Sequence, residues 1–390
     1  MKLLGIESEE LVRLGGIQTA TEILQQPALW QKIFDEINNA SSEILEFLNN
    51  SLAKSDRIIL TGAGTSAFIG LTLRSVFQKN TGKITEAIAT TDIVSNPTDY
   101  LIKNVPTLLI SFARSGNSPE SEAAIKIVDE FCEICYHLII TCNKAGMLSK
   151  YASTPNKFVI FLPNEANDQS LVMTSSYTGM LLTGLLISQL KNLKTVKSKL
   201  ETAIKYTNEF ILNCSEYLSE IARFKFNRVV FLGAGTFYGT ATEASLKLQE
   251  LTGGEIICKN DSYLGFRHGP KSVLNESTMV VYLLSSSNEY AFKYENDLIA
   301  SMKNGTLPLV EISISESEFK NINLPFMLYF TENAKKLNAK KLDDEYLALC
   351  YILPIQILGF YKSLELGLCP DAPSVNNDIT RVVEGVKIYY

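Results

Sequence analysis

The sequence predicts an α/β fold used twice, each copy a parallel sheet flanked by helices. Three observations carry that prediction. Strand-length apolar runs alternate with helix-length amphipathic stretches, the pattern of parallel strands joined by crossover helices. A strand followed by Gly-Ala-Gly-Thr and a helix occurs twice, at Gly62 and at Gly233, 171 positions apart. The length, 390 residues, fits two or three domains.

The elements follow in chain order. Residues 1–50 read as helical, with Trp30, Ile33, Ile37, Ile44 and Leu48 at helical spacing and Pro27 starting or interrupting a helix. The first α/β copy covers residues 51–200. Its strands are expected at Arg57–Thr61, Thr107–Phe112, His137–Cys142 and Phe158–Leu162. Long helices fill residues 170–224. The second copy, 215–366, opens with the strand Arg228–Leu232 and ends in a helix from about Asp343 to Leu366. Residues 367–390 form an irregular tail. The run Leu109-Ile110-Ser111 with its Ser/Gly turn is matched to Leu283-Leu284-Ser285-Ser286-Ser287. Finding the Gly-x-Gly turn twice in the same context points to internal duplication.

Composition excludes several classes of function. Hydrophobic residues make up 46% and charged residues 20%, so the chain is globular rather than disordered. The net charge of −6 carries no basic excess for nucleic acid, and the first fifty residues hold three basic against eight acidic side chains. The N-terminus lacks the apolar stretch of a signal peptide, and the run Gly179–Leu190 is too short to span a bilayer, so a cytoplasmic protein without membrane contact is expected. The seven cysteines are dispersed; Cys132-x-x-Cys135 reads as buried thiols and His137 as a packed or surface histidine. Neither glycine turn is a dinucleotide fingerprint, since Ala67 stands where the third glycine belongs, and no Gly-Lys-Ser/Thr follows.

The stretch from Ser111 to Glu120 holds the candidate anion site. A strand ends, hydroxyls and a glycine follow, and a helix starts near Pro119. A helix N-terminus offers unpaired N–H groups and the positive end of its dipole. Ser115 and Ser118 add hydroxyl donors, Arg114 a cation, and Ser66 in the parallel turn can converge on the same anion. Ser115 and Ser118 also fit plain turn and N-cap roles.

A second constellation lies in the later copy. Glu243, Lys247 and Glu250 fall at i, i+4 and i+7 and share one helix face. Alone they fit a surface salt-bridge ladder equally well. They are followed by a polar loop, Asp261 to Ser272, that carries His268 between Arg267 and Gly269-Pro270.

Gly62-Ala-Gly-Thr-Ser66 with Ser115-Gly-Asn-Ser118 resembles the sugar isomerase (SIS) domain family. That resemblance implies two tandem SIS domains of flavodoxin-like, doubly wound type, with a helical N-terminal extension and a C-terminal tail. It implies phosphate binding by Thr65, Ser66, Arg114, Ser115 and Ser118, with one phosphate site per chain, since Ser287 is followed by Asn288-Glu289-Tyr290. Glu-x3-Lys-x2-Glu followed by His-Gly-Pro resembles the isomerase half of glucosamine-6-phosphate synthase over residues 50–370. On that resemblance Glu250 moves a proton between C1 and C2. His268 assists ring opening from a neighbouring subunit, and Glu243 and Lys247 support the open-chain sugar. The runs Thr61–Gly70, Ser111–Ser121, Met173–Ser176, Gly265–Ser272 and Arg381–Val383 are similar to the galactosamine-6-phosphate deaminase/isomerases, a group long labelled tagatose-6-phosphate ketose/aldose isomerases.

The resemblance implies deamination and isomerisation of galactosamine 6-phosphate to tagatose 6-phosphate and ammonia. It implies no cofactor, no metal, and a homodimer or higher assembly with a shared active site. Plain aldose–ketose isomerisation and phosphosugar sensing are the alternatives. Asn117, Asn167, Asp168 and Ser170 are candidate sugar contacts, although a helix cap explains Asn167, Asp168 and Ser170 equally well. Ala113 and Arg114 stand where the synthase has serine and glutamine. Glu384 aligns with a tail lysine of the synthase, with Lys387 nearby but out of register. The short segment before the first SIS-like copy leaves no glutaminase, which favours ammonia release over ammonia fixation.

Overall fold

Both sheets are parallel throughout, and both have five strands in the same order. The computed structural model describes residues 1–331, 341–383 and 385–389. Glu384 lies outside the described residues. By contact the chain divides into two units, each assembled from separate stretches: Ala28–Ser198 with Asn377–Tyr390, and Met1–Pro27 with Lys199–Asn376.

In the unit containing Ala28–Ser198, the strands are Arg57–Thr61, Ile84–Ala87, Thr107–Ala113, Cys135–Thr141 and Lys157–Phe161. Across the sheet they run second, first, third, fourth, fifth. The first and third strands are buried along their whole length, which is why they read as unbroken apolar runs. Ile84–Ala87 is a short edge strand with alternating exposure, and its Thr and Glu hide it from a sequence reading. The helix Gln26–Asn39 begins one residue before Pro27, and Trp30, Ile33 and Ile37 on it are core residues. Trp30 Nε1 donates to Thr178 Oγ1 at 3.0 Å. Earlier in the chain, in the Met1–Pro27 stretch that belongs to the other unit, Lys2–Leu3 and Ile6–Glu7 form a two-residue antiparallel ladder that the helical reading of residues 1–50 passes over.

In the other unit the strands are Arg228–Leu232, Ile257–Asp261, Thr278–Leu283, Val310–Ser317 and Phe326–Thr331, again ordered second, first, third, fourth, fifth. This is the flavodoxin-like order of a doubly wound sheet. The duplication is visible in register. Arg57 pairs with Thr107 and Arg228 with Thr278, so both first-to-third pairings span 50 positions. One offset of 171 therefore relates the copies from Gly62/Gly233 through the third strands. Ser111 corresponds to Tyr282 and not to Ser285, which corrects the sequence match by three residues. The glycine turns agree in conformation: Gly64 has φ 54° and ψ −128°, and Gly235 has φ 56° and ψ −124°.

Asp344–Glu365 is long and apolar enough to cross a membrane, with a mean hydropathy of 1.5, and 94% of its apolar 18-residue window is buried. It is a core helix, and it is longer than the Gly179–Leu190 run. It packs against the helix Thr236–Leu251, where Phe237 stacks on Tyr351 with ring centroids 4.8 Å apart.

Candidate active site

In a doubly wound sheet the ligand crevice lies at the carboxyl ends of the strands, where the strand order reverses. In the Ala28–Ser198 unit that point falls between the first and third strands, and both predicted anion turns are there. Thr65 and Ser66 open the helix Thr65–Thr81 directly after the glycine turn and are buried. A Cβ on Gly62 would lie 2.6 Å from the Ser66 carbonyl carbon, so only glycine lets the chain turn back this tightly. Ser115 follows the third strand, and its hydroxyl accepts from Asn117 N at 3.2 Å. Gly116 takes φ 63°. Asn143 Nδ2 donates to the Ser115 carbonyl at 2.9 Å and Met147 N to Asn117 Oδ1 at 2.8 Å, so the loop is braced from behind and the Asn117 carbonyl oxygen holds the main chain. Ser118 is the N-cap residue of Pro119–Phe131, but its hydroxyl pairs with Ser121 Oγ at 2.6 Å rather than with the backbone.

Arg114 is buried, and its guanidinium donates to the carbonyls of Leu171, at 3.0 Å, and Arg381. Arg381 in turn donates to the Asp168 carbonyl at 2.7 Å and to Asn167 Oδ1 at 2.8 Å. The two arginines thus fasten the tail and the 167–171 loop behind the serine turn. Asp168 is fully buried and accepts from the amides of Thr174, Ser175 and Ser176 at 2.8, 3.1 and 2.9 Å, which caps the helix Ser175–Ser188. Burial raises its carboxyl above the ordinary value, and the Ser176 and Thr174 donors oppose that shift. Ser170 is also buried, with its hydroxyl on the Val172 carbonyl at 3.1 Å. Arg381 was legible only as part of a matching run, because its partners lie more than 200 positions away.

The same unit carries the Cys132–His137 segment. His137 is fully buried, with Nε2 2.9 Å from Asp129 Oδ1, and Cys135 Sγ donates to the same oxygen at 3.1 Å. Asp129, Cys135 and His137 are spaced as metal ligands would be, but the Lys157 ammonium already ion-pairs with the Asp129 carboxylate. Burial and the Asp129 bond push the Cys135 thiol up to about 12, so it is a poor nucleophile at neutral pH.

In the other unit the predicted acid–base face is an internal one. Glu243 and Lys247 are fully buried, and Glu250 keeps 20% of its side chain exposed. Lys247 Nζ lies 3.4 Å from Glu243 Oε1 and 2.5 Å from Glu250 Oε2. A surface ladder would be solvated on every side; this one is a lysine sealed between two carboxylates, with one carboxylate reachable from solvent. The loop that follows is set by Asp261 and Ser262: Ser262 Oγ caps Tyr263–Phe266 by accepting from Gly265 N at 3.1 Å. His268 is exposed just beyond, before the turn Gly269–Val273. The structure brings Glu243, Lys247 and Glu250 together; among the described residues, no hydrogen bond or ion pair joins the His268 ring to them.

The chain is similar to several known proteins along most of its length. The SIS domain family matches residues 51–188. The D-galactosamine-6-phosphate deaminase AgaS of Shewanella sp. (strain ANA-3) is 40% identical over 389 residues, 98% of this chain and 95% of that protein. The Clostridium novyi NT protein crystallised as a candidate tagatose-6-phosphate ketose/aldose isomerase is 39% identical, with a TM-score of 0.95 over 100% of this chain and 99% of that one. The tagatose-6-phosphate ketose/aldose isomerase of Escherichia coli is 35% identical, with a TM-score of 0.86 over 96% and 97% of the two chains. Identity at this level over nearly the whole length carries family membership, and with the duplicated sheet order it places this chain in the AgaS family of proteins built from two tandem SIS domains.

Proposed function

We propose that this chain converts galactosamine 6-phosphate to tagatose 6-phosphate and ammonia. The observation that carries the reading is the buried Glu243–Lys247–Glu250 cluster in a near-full-length relative of a galactosamine-6-phosphate deaminase.

The open-chain substrate has an aldehyde at C1 and an amine at C2. A base takes the C2 proton, and the electron pair shifts through C1 to its oxygen, which takes up a proton to give an enolamine. Return of the C2 proton at C1, with loss of one N–H proton, gives a C2 ketimine. Water adds at C2 and ammonia leaves, so one water enters and one ammonia departs. Glu250 is assigned the proton transfer. It is the carboxylate of the cluster that solvent reaches, and its ion pair with the Lys247 ammonium fixes it in place. Glu243 holds Lys247 from the far side. The reading assigns the 6-phosphate to the turns carrying Thr65, Ser66, Ser115 and Ser118, where N–H groups and hydroxyls face an anion. Arg114 positions the Ser115 turn through its carbonyl contacts. His268 shuttles the ring-opening proton and, being exposed, is assigned to the site of a neighbouring subunit in a homodimer or larger assembly. Asn117 and Ser170 are assigned as contacts of the sugar. In this reading the C–N bond is cleaved by water, the chemistry of a hydrolase.

The test is ammonia release from purified protein with galactosamine 6-phosphate, glucosamine 6-phosphate and N-acetylgalactosamine 6-phosphate side by side. Ammonia from the galacto amine alone is expected. No ammonia, with tagatose 6-phosphate still interconverted with its aldose, would replace the reading by plain isomerisation. Silence in both assays with phosphosugar binding intact would replace it by a sensor.

A further inference from the structure

The 171-residue offset assigns a counterpart to every position of the serine turn. Ser115, Gly116 and Asn117 correspond to Ser286, Ser287 and Asn288, and each turn leads from a third strand into a helix, Pro119–Phe131 or Glu289–Met302. The second turn has an anion seated on it. Asp344 Oδ1 accepts from Ser286 N and Ser287 N, both at 3.3 Å, and from Ser287 Oγ at 2.9 Å. Asp344 Oδ2 accepts from Ser285 Oγ. Two amides and two hydroxyls thus converge on one carboxylate, delivered by the first residue of the helix Asp344–Glu365. In the first copy, among the described residues, no carboxylate accepts from the Ser115 or Gly116 amide.

A second acidic group marks the same place. Glu295 accepts from Ser285 N at 2.8 Å through Oε2, and its other oxygen is buried without a partner. Burial pushes Glu295 up to about 8, helped by the Asp344 charge and opposed by the Ser285 amide. Burial thus favours the neutral form of Glu295.

We infer that the Ser285–Asn288 turn is a second oxyanion-binding loop, the duplicate of the Ser115 turn, and that Asp344 fills it as a built-in ligand. The loop retains the donors of an anion site and is closed to small molecules by a carboxylate of its own chain. One side chain separates a loop open to phosphate from one that is occupied.

The test is chemical rescue in the full-length chain. Asp344→Gly removes the internal carboxylate and leaves space for formate, which carries the same group. Melting is followed in sodium formate and in sodium chloride at equal ionic strength. Formate is expected to raise the midpoint of the glycine variant by several degrees beyond chloride and to leave the unsubstituted protein level with its chloride control. Equal midpoints in the two salts would overturn the inference. Should the glycine variant fail to accumulate, Asp344→Asn is compared with Asp343→Asn. Both remove one charge from the same helix terminus, but Asp343 pairs with Lys199 and not with the serine turn. The larger loss of midpoint is expected at Asp344, and an equal loss would overturn the inference.

Discussion

Replacing Lys247 by methionine tests whether charge holds the acid–base cluster together. Lys247 and Glu243 are both fully buried, 3.4 Å apart at their charged atoms, and Glu250 closes the other side at 2.5 Å. Methionine keeps most of the lysine volume and removes the ammonium. The Glu243 carboxylate then lacks its compensating charge in a place that water does not reach. Breaking a buried pair from one side costs about 3–5 kcal/mol. A folding unit of about 150–250 residues loses about 2–4 °C per kcal/mol, so the midpoint should fall by on the order of 10 °C. The unit formed by Met1–Pro27 and Lys199–Asn376 is in that size range. Differential scanning calorimetry reads the shift directly. Adding Glu243→Gln to Lys247→Met should recover part of the loss, because a neutral amide needs no cation. A Lys247→Met protein melting within about 2 °C of the unsubstituted chain would refute the charge argument, since that is under one kcal/mol at this size.

Two further outcomes follow from other groups. Ser115→Ala should raise KM for the phosphosugar and weaken inhibition by inorganic phosphate, with kcat little changed; a fall in kcat alone would remove Ser115 from the phosphate ligands. Glu295 has its carboxyl raised from 4.5 to about 8 by burial, so the folded state keeps a proton that the unfolded chain has lost. Its contribution is full below about 4.5 and is lost as pH rises through about 8, so Glu295→Gln should lose less stability than the unsubstituted chain between about pH 5 and pH 8.5, read by urea unfolding at each pH. Equal pH dependence in the two proteins would contradict the burial of this group.

The parts of the fold legible in the sequence are those fixed by local pattern. Arg57–Thr61 and Arg228–Leu232 are continuous apolar runs ended by glycine, and both strands form as read. The Asp344–Glu365 helix lies where its apolar length put it. Ile257–Asp261 was not read as a strand, because Lys259, Asn260 and Asp261 carry no apolar alternation. At the site, helical spacing placed Glu243, Lys247 and Glu250 on one face, but spacing alone does not say whether a face is wet. That is decided by the Asp344–Glu365 helix, a hundred positions later, packing against theirs. Arg114 shows the same limit. Its charge was legible and its direction was not, because its partners, the Leu171 and Arg381 carbonyls, are supplied by distant loops. The carboxylate seated on the second serine turn is 57 positions away from Ser287, beyond any local pattern.

The central claim is that Glu250 moves the proton that leads to loss of ammonia. The most direct measurement is ammonia release from galactosamine 6-phosphate by the Glu250→Gln protein, paired with calorimetric binding of the same substrate. Release is expected to vanish while binding stays within a few-fold of the unsubstituted protein, because glutamine keeps the shape and cannot take the proton. Ammonia release at an undiminished rate would contradict the assignment.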